Sequence, residues 1–421
     1  MYDILYTPTT LLVLLFCIGY ALIIFESFVD INKATTATVV GSLLWVLLVL
    51  LPGFESKESL ALLQTHFSTI AQFLFFLWGA MIIVEIMNAH HSLELVSRCL
   101  RVPSKRLRLW LVGISTFFLS AVLDNLTTTI VMISIMKKLC DDPMERKMVG
   151  CSVVIAANAG GAWSPIGDVT TTMLWIGGQV TAVGLVKALF LPSFACLVTA
   201  LLFFSKNVHG VDESTHAIKK ETNWKSYLMI ILGIGSFCAV PLLKIFVGLP
   251  PFIGMLLMMS FVGVCSDIMK PEENGKKLSF HDLIHRVDTS TILFFLGILL
   301  CISALESSQV LHALAAMLSN TFHYEAMIPF VIGIVSAAVD NVPIVAATMG
   351  MYPLHLYPTD SSFWHMIAYA AGVGGNMLII GSAAGVAFMG MEKVSFSWYL
   401  KKCSLAAAVG YVVGFGVYLL L

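Results

Sequence analysis

Two Asp-Asn pairs lie inside long apolar stretches of this chain: Asp124 with Asn125 in SAVLDN, and Asp340 with Asn341 in SAAVDN. Asn and Asp favour turn backbone and leave side-chain oxygens free, so each pair reads as the tip of a hairpin. Thr127, Thr128 and Thr129 add hydroxyls after the first tip. Carboxylate, amide, hydroxyl and carbonyl oxygens together suit a hard cation such as sodium, with Asp124 and Asn125 as its first ligands. A second kind of break is AANAGGAWSPIGD, Ala156 to Asp168. The expected helix break near Gly160 and Gly161 exposes carbonyls and Ser164 to an ion, and Asp168 caps the helix that restarts after Pro165. Its echo in the second half carries Gly374, Gly375 and Ser382.

These acids stand where a charge costs at least a few kcal/mol. Asp124, Asp168, Asp340 and Glu85 fall within apolar segments, whereas every Lys and Arg falls at a segment end. A carboxylate that alternates between protonated and cation-bound states is what a cation/proton exchanger requires; an anion carrier would need the opposite charge. The halves are unequal, because Thr127 and Thr128 become Pro343 and Ile344, and Asn158 becomes Gly372. The stronger cation site is therefore expected at Asp124, with Asp340 as a second site or the proton-handling partner. Glu85 reads either as a proton entry residue or as a snorkelling interface carboxylate.

The elements that position these residues follow from composition. Of 421 residues, 58% are hydrophobic and 12% charged, and mean hydropathy is +0.90; soluble domains carry about twice that charge. A net charge of −1 offers no basic face for nucleic acid. Nine scattered cysteines form no metal-like cluster and read as packing residues, with no cofactor implied. Runs long enough to span about 30 Å of hydrocarbon lie near 9–28, 35–52, 68–88, 185–205, 225–246, 251–268, 289–306 and 402–421. Four interrupted stretches lie between them, near 107–136, 148–180, 325–354 and 363–390.

FFLWG at Phe75 to Gly79 echoes FFLG at Phe294 to Gly297, SAVLDN echoes SAAVDN, and Gly160, Gly161 and Gly167 echo Gly374, Gly375 and Gly381. The expectation is an all-α polytopic membrane protein made of two halves, 1–205 and 225–421, joined by a cytoplasmic linker at 206–224. If each DN segment is a re-entrant hairpin, each half crosses five times and the second is inverted, with one broken helix apiece. Placing Arg98, Arg101, Lys105, Arg106 and Arg108 in the cytoplasm then puts 21 of the 24 positive residues inside and both termini outside. His90, His91, His209, His216, His281 and His285 fall in cytoplasmic loops on this count. Backbone that leaves helical geometry at membrane depth lines a protein-enclosed site, the arrangement of a secondary transporter; a single chain with two inverted halves does not supply the ring of identical filters of a channel.

LDNLTTTIV followed by AANAGGAWSPIGDVTTTMLW resembles the NhaD family of sodium/proton antiporters, within the larger ion transporter superfamily, and VDNVP with GVGGNMLIIGSAAGVAFMG is similar to it too. The resemblance implies exchange of sodium or lithium for protons, a bilayer setting in a bacterial inner membrane, and a homodimer with scaffold and moving transport units. Dicarboxylate carriers of that superfamily have Ser-Asn-Thr at the tips, where this chain has Asp124 with Asn125 and Asp340 with Asn341. Arsenite permeases resemble the first tip as well, so arsenite or sodium-coupled organic-anion transport is the alternative. An intramembrane aspartyl protease would also embed Asp124, Asp168 and Asp340, but Asp168 lacks the first glycine of the Gly-x-Gly-Asp motif.

Overall fold

The computed structural model describes residues 9–24, 26, 31–50, 56–140, 142–206, 208, 210, 224–273, 276–322 and 324–421. Most of the expected linker at 206–224 lies outside them, including His209 and His216. In chain order come α1 (Thr9–Ile24), α2 (Lys33–Leu50), α3 (Ser56–Ala89), α4 (Glu94–Cys99), α5 (Lys105–Ser120), α6 (Asn125–Leu139), α7 (Pro143–Ala162), α8 (Val169–Ile176) and α9 (Ala182–Ser205). Then follow α10 (Trp224–Val247), α11 (Pro251–Met269), α12 (Phe280–Ile284), α13 (Thr289–Ser307), α14 (Val310–Thr321), α15 (Met327–Val335), α16 (Asn341–Met351), α17 (Ser362–Gly374), α18 (Ala383–Glu392), α19 (Phe396–Lys402) and α20 (Ser404–Leu420). A two-residue antiparallel ribbon, Glu272 opposite Lys277 and Glu273 opposite Lys276, lies in the loop between α11 and α12 of this all-helical fold.

By length and composition, α2, α3, α9, α10, α11 and α13 are long and apolar enough to cross a membrane; α19 and α20, bent by 52°, make a seventh span if taken together. The chain is a multi-pass membrane protein. Leucine, isoleucine and phenylalanine side chains such as Ile231, Phe246, Ile268 and Leu405 stand exposed on these helices, which is stable only against lipid.

Helices from before residue 206 and from after residue 224 pack on one another through glycines. α2 lies on α13 where a Cβ on Gly41 would stand 2.6 Å from the Gly297 carbonyl oxygen; α3 lies on α11 where Gly79 meets Met255. In each pairing a helix from before residue 206 meets one from after residue 224. The last spans also meet, α20 crossing α9 with Gly414 against the Pro192 carbonyl. A methyl group at Gly41 or Gly414 would force the backbones apart.

Within the first interrupted region, Ser104 starts α5 by accepting from the Leu107 amide at 3.3 Å, and Asp142 with Pro143 starts α7. The start of α5 and the end of α6 meet at one buried carboxylate. Glu145 lies 2.8 Å from Lys105 Nζ, binds Arg108, and accepts from Cys140 Sγ at 3.3 Å. The chain therefore runs up α5, turns at 121–124 and returns along α6 to the level where it began. α15 and α16 flank α17 in a comparable way: Ser336 Oγ donates to the Ala371 carbonyl at 2.9 Å, as Ser120 Oγ does to Ala157 at 2.7 Å.

The break expected near Gly160 and Gly161 comes directly after them: α7 ends at Ala162 and the unwound segment is 163–168. The glycines serve close packing. A Cβ on Gly160 would stand 2.2 Å from the Phe117 carbonyl oxygen, and one on Gly374 would stand 2.1 Å from that of Gly333; Gly161 and Gly375 press on Gly167 and Gly381 in turn. α7 and α17 can thus touch the neighbouring backbone while remaining helical.

Candidate functional site

Four half-helices begin at the centre of the molecule. Asp124 caps α6, accepting from the Thr127 amide at 2.9 Å and the Thr127 hydroxyl at 2.5 Å. Asp168 caps α8 through the Thr170 amide at 3.4 Å, and Ser382 caps α18 through that of Gly385 at 3.2 Å. Asp340 is the N-cap of α16 but receives no side-chain cap bond there. The residue matching Thr127 is Pro343, which has neither N–H nor hydroxyl, so the two bonds that Asp124 accepts from Thr127 have no counterpart at Asp340.

A chain of amides joins the two halves. Asn125 donates to Asn158 at 2.8 Å; Asn158 donates to Asn376 at 2.7 Å and to Ser382 Oγ at 2.8 Å. From the other tip, Asn341 donates to Asp168 Oδ2 at 3.2 Å. Asn125, Asn158, Asp168, Asn341, Asn376 and Ser382 are all buried, so removing any partner would leave a polar group unpaired where it is costly.

Asp168 lies within electrostatic range of both Asp124 and Asp340. Asp124 also borders a small cavity closed by Phe73, Phe76, Val122, Ile166, Thr172 and Phe237, of about 20 Å³, enough for one water-sized body. The field at this centre has a definite sign. Four helix N-termini carry partial positive charge and would suit an anion, but three of them already hold a carboxylate, Asp124, Asp168 and Asp340. With α5, α7, α15 and α17 ending here on carbonyls, the balance favours a cation. Lys33, at the start of α2, is within electrostatic range of Asp340.

A family model described as "Citrate transporter" matches residues 20–374. The chain is 46% identical over 412 residues to "Sodium/proton antiporter 1" of Arabidopsis thaliana, covering 96% of this chain and 71% of that protein. The chain belongs to the NhaD-type antiporter branch of this transporter family. A bacterial relative, "Na(+)/H(+) antiporter NhaD" of Vibrio cholerae, is 27% identical over 440 residues, covering 97% of this chain and 91% of its own. The YdaH transporter of Alcanivorax borkumensis shares the fold, with a TM-score of 0.60 at 12% identity over 92% of this chain and 98% of that one.

In this family member the predicted residues divide into three groups. Asp124, Asn125, Asn158, Asp168, Asp340, Asn341 and Ser382 surround the centre. Thr128 stands beside them with its Oγ1 buried and, among the described residues, without a hydrogen-bond partner. Gly160, Gly161, Gly374 and Gly375 act through backbone approach, and Ser164 Oγ turns back on the Ile166 amide at 3.4 Å within its own loop. Glu85 faces Arg286 at 3.8 Å, an ion pair outside this cluster.

Three features escaped the sequence. Asn376 completes the amide chain, and its position after Gly375 at a break was the available signal. Asp360 ties the halves together, accepting from the Thr181 amide at 2.7 Å and hydroxyl at 2.6 Å, with His365 Nε2 at 3.4 Å. Burial raises its pKa, but those bonds and the His365 ring outweigh it and hold the carboxyl below the usual range. Cys151 and Cys403 form a disulfide instead of packing as separate thiols; at a separation of 252 residues no spacing rule pairs them.

Proposed function

We propose that this chain exchanges sodium, or lithium, for protons, and that one cation competes with protons for the carboxylates at the paired breaks. The observation that carries the reading is an Asp at the cap of α6, α8 and α16, where a neutral cap would leave three helix N-termini open to an anion. Asp124, Asn125 and Thr128 hold the cation on the first tip, with Asp168 and Asn341 facing them from the other side. Asp340, free of a cap bond, takes up and releases the proton. Sodium/proton exchange is also what the printed names of the Arabidopsis and Vibrio relatives state for those proteins.

The architecture that goes with this reading is an inverted repeat of 1–205 and 225–421 around the linker at 206–224, with each DN segment re-entrant from opposite faces. It is supported by the matched Ser120 and Ser336 bonds, the matched glycine approaches and the reciprocal helix pairings. The positive residues then orient both termini away from the cytoplasmic side. That rule concerns sidedness and not organism, so it is compatible with a bacterial inner membrane without selecting it. A homodimer is part of the proposal through the superfamily resemblance.

A second reading, sodium-coupled uptake of an organic acid, is favoured by the family description. Proteoliposomes containing a trapped pH dye separate the two when challenged in turn with sodium, lithium, potassium, arsenite, citrate and succinate. Proton flux driven by sodium or lithium alone supports exchange; sodium-dependent citrate or succinate uptake without a cation-driven pH change overturns it.

A further inference from the structure

A second cavity, of about 360 Å³, opens between α3, α8, α13 and α16. Its polar wall is built from Thr65, His66 and Thr69 on α3, Ser303 and Glu306 on α13, and Gln179 beyond α8. Spacing explains the faces: 65, 66 and 69 lie on one side of α3, and 303 and 306 are one turn apart on α13. α8 begins at Asp168 and α16 at Asp340, and the last turns of both reach this cavity, at Ile176 and at Met349 with Gly350. Helix C-termini attract positive charge. The chain supplies an instance: Lys244 Nζ donates to the Trp175 carbonyl at 3.0 Å and stands 4.8 Å from that ring's centroid.

Phe73 lines this cavity and also the small one at Asp124. It is buried, and its ring meets Phe295 edge-on at 6.2 Å. α8 contributes to both spaces too, Met173 to the larger and Thr172 to the smaller. One aromatic side chain and one half-helix therefore separate a cavity with an acidic wall from the central site.

We propose that this cavity is a loading vestibule for the transported monovalent cation, that Glu306 concentrates the cation there, and that Phe73 is the barrier between the vestibule and Asp124. The proposal rests on the exchange reading for its cargo but not for its geometry. Glu306 acts at a distance from the central carboxylates, raising the local cation concentration through a charge that added salt screens. Phe73 must turn aside for a cation to pass from Thr69 to Asp124.

The test has two arms. In the first, Thr69→Cys and Thr172→Cys are exposed to an impermeant charged methanethiosulfonate, and the labelled peptide is identified by mass spectrometry so that native cysteines are not counted. Thr69→Cys should label and Thr172→Cys should not; adding Phe73→Ala should open Thr172→Cys to reagent, with Phe73→Leu intermediate if Phe73→Ala fails to fold. Equal labelling of Thr172→Cys with Phe73 intact, its continued protection in both Phe73 variants, or protection of Thr69→Cys overturns the vestibule. In the second, Glu306→Gln should raise the sodium KM several-fold at low ionic strength with Vmax retained. The difference should shrink in added choline chloride, and Glu306→Asp should restore most of the affinity; an unchanged KM overturns the role of Glu306. A wild-type protein without sodium-driven proton flux would instead sink the exchange reading, and the labelling arm would still decide the vestibule.

Discussion

Asn158 and Ser382, 224 residues apart, are joined by a 2.8 Å hydrogen bond, and the positions that echo them, Gly372 and Asp168, also face each other. A Cβ on Gly372 would stand 3.4 Å from Asp168 Oδ2. The same two places therefore meet twice, once with amide against hydroxyl and once with bare backbone against carboxylate. The missing side chain at Gly372 is what leaves Asp168 free to accept from Asn341.

Asn158→Ala should destabilise the fold markedly, because it leaves the Asn125 amide and the Asn376 oxygen buried without their partner. Each such group costs about 1–3 kcal/mol. Thermal unfolding of the purified protein in detergent should show a lower midpoint, and a midpoint within error of wild type would mean that water replaces the amide.

Glycines at the breaks should separate by what they touch. Gly374→Ala places a methyl 2.1 Å from the Gly333 carbonyl oxygen, and Gly160→Ala places one 2.2 Å from that of Phe117, so both should abolish monodisperse expression. Gly372→Ala meets its neighbours at ordinary contact distance and should fold. Size-exclusion profiles of the three variants decide the matter.

Much of this was legible in the chain. The DN pairs and glycine triplets repeat in register because the same backbone approaches occur in each half, and a repeated constraint leaves a repeated residue. The position of the break is legible too, directly after Gly160 and Gly161 and before Val169, but the role of those glycines is not: they are in helix and permit contact, and the unwound segment holds Pro165 and Asp168. Asn376 and the Asp360 junction with Thr181 stayed hidden for a different reason. Each acts across the halves, and a single sequence carries no trace of which loop meets which.

Asp360 should make stability acid-sensitive. Its folded carboxyl is held below the ordinary value near 3.9, so the charged form favours the fold above that value. The contribution is lost as pH falls through the depressed value. Asp360→Asn should lower the unfolding midpoint at pH 6 to 7, and the gap from wild type should close below about pH 4.

His90 gives the same sign in a higher window. Burial first, then Lys225 and His91, push its pKa down to about 4; its Nε2 lies 3.0 Å from Ser266 Oγ. Between about 6.5 and 4 the unfolded chain binds a proton that the folded one refuses. Stability should therefore fall on acidification across that range, and His90→Gln should flatten this part of the midpoint-against-pH curve. An unchanged slope would show that the histidine takes up its proton at the same pH in the folded and the unfolded chain.

The sharpest separation of cap from ligand is at Asp168, since its echo Ser382 shows that a serine suffices to cap the half-helix. Asp168→Ser should keep the start of α8 within about 1 kcal/mol but remove the oxygen that Asn341 meets and one of the three central charges. Asp124→Asn, which retains shape and capping reach, should behave likewise: folded, monodisperse, and without sodium-dependent proton flux across pH 6 to 9. The comparison depends on both variants folding, which unfolding midpoints establish before transport is measured. If Asp168→Ser exchanges at the wild-type rate while Asp124→Asn does not, the cation is held on the first tip alone and Asp168 is a cap. If both exchange normally, the cluster is a polar core and the cation passes elsewhere. Loss of flux in both, with the fold intact, assigns the transported cation to the space between the first tip and the broken helix that faces it.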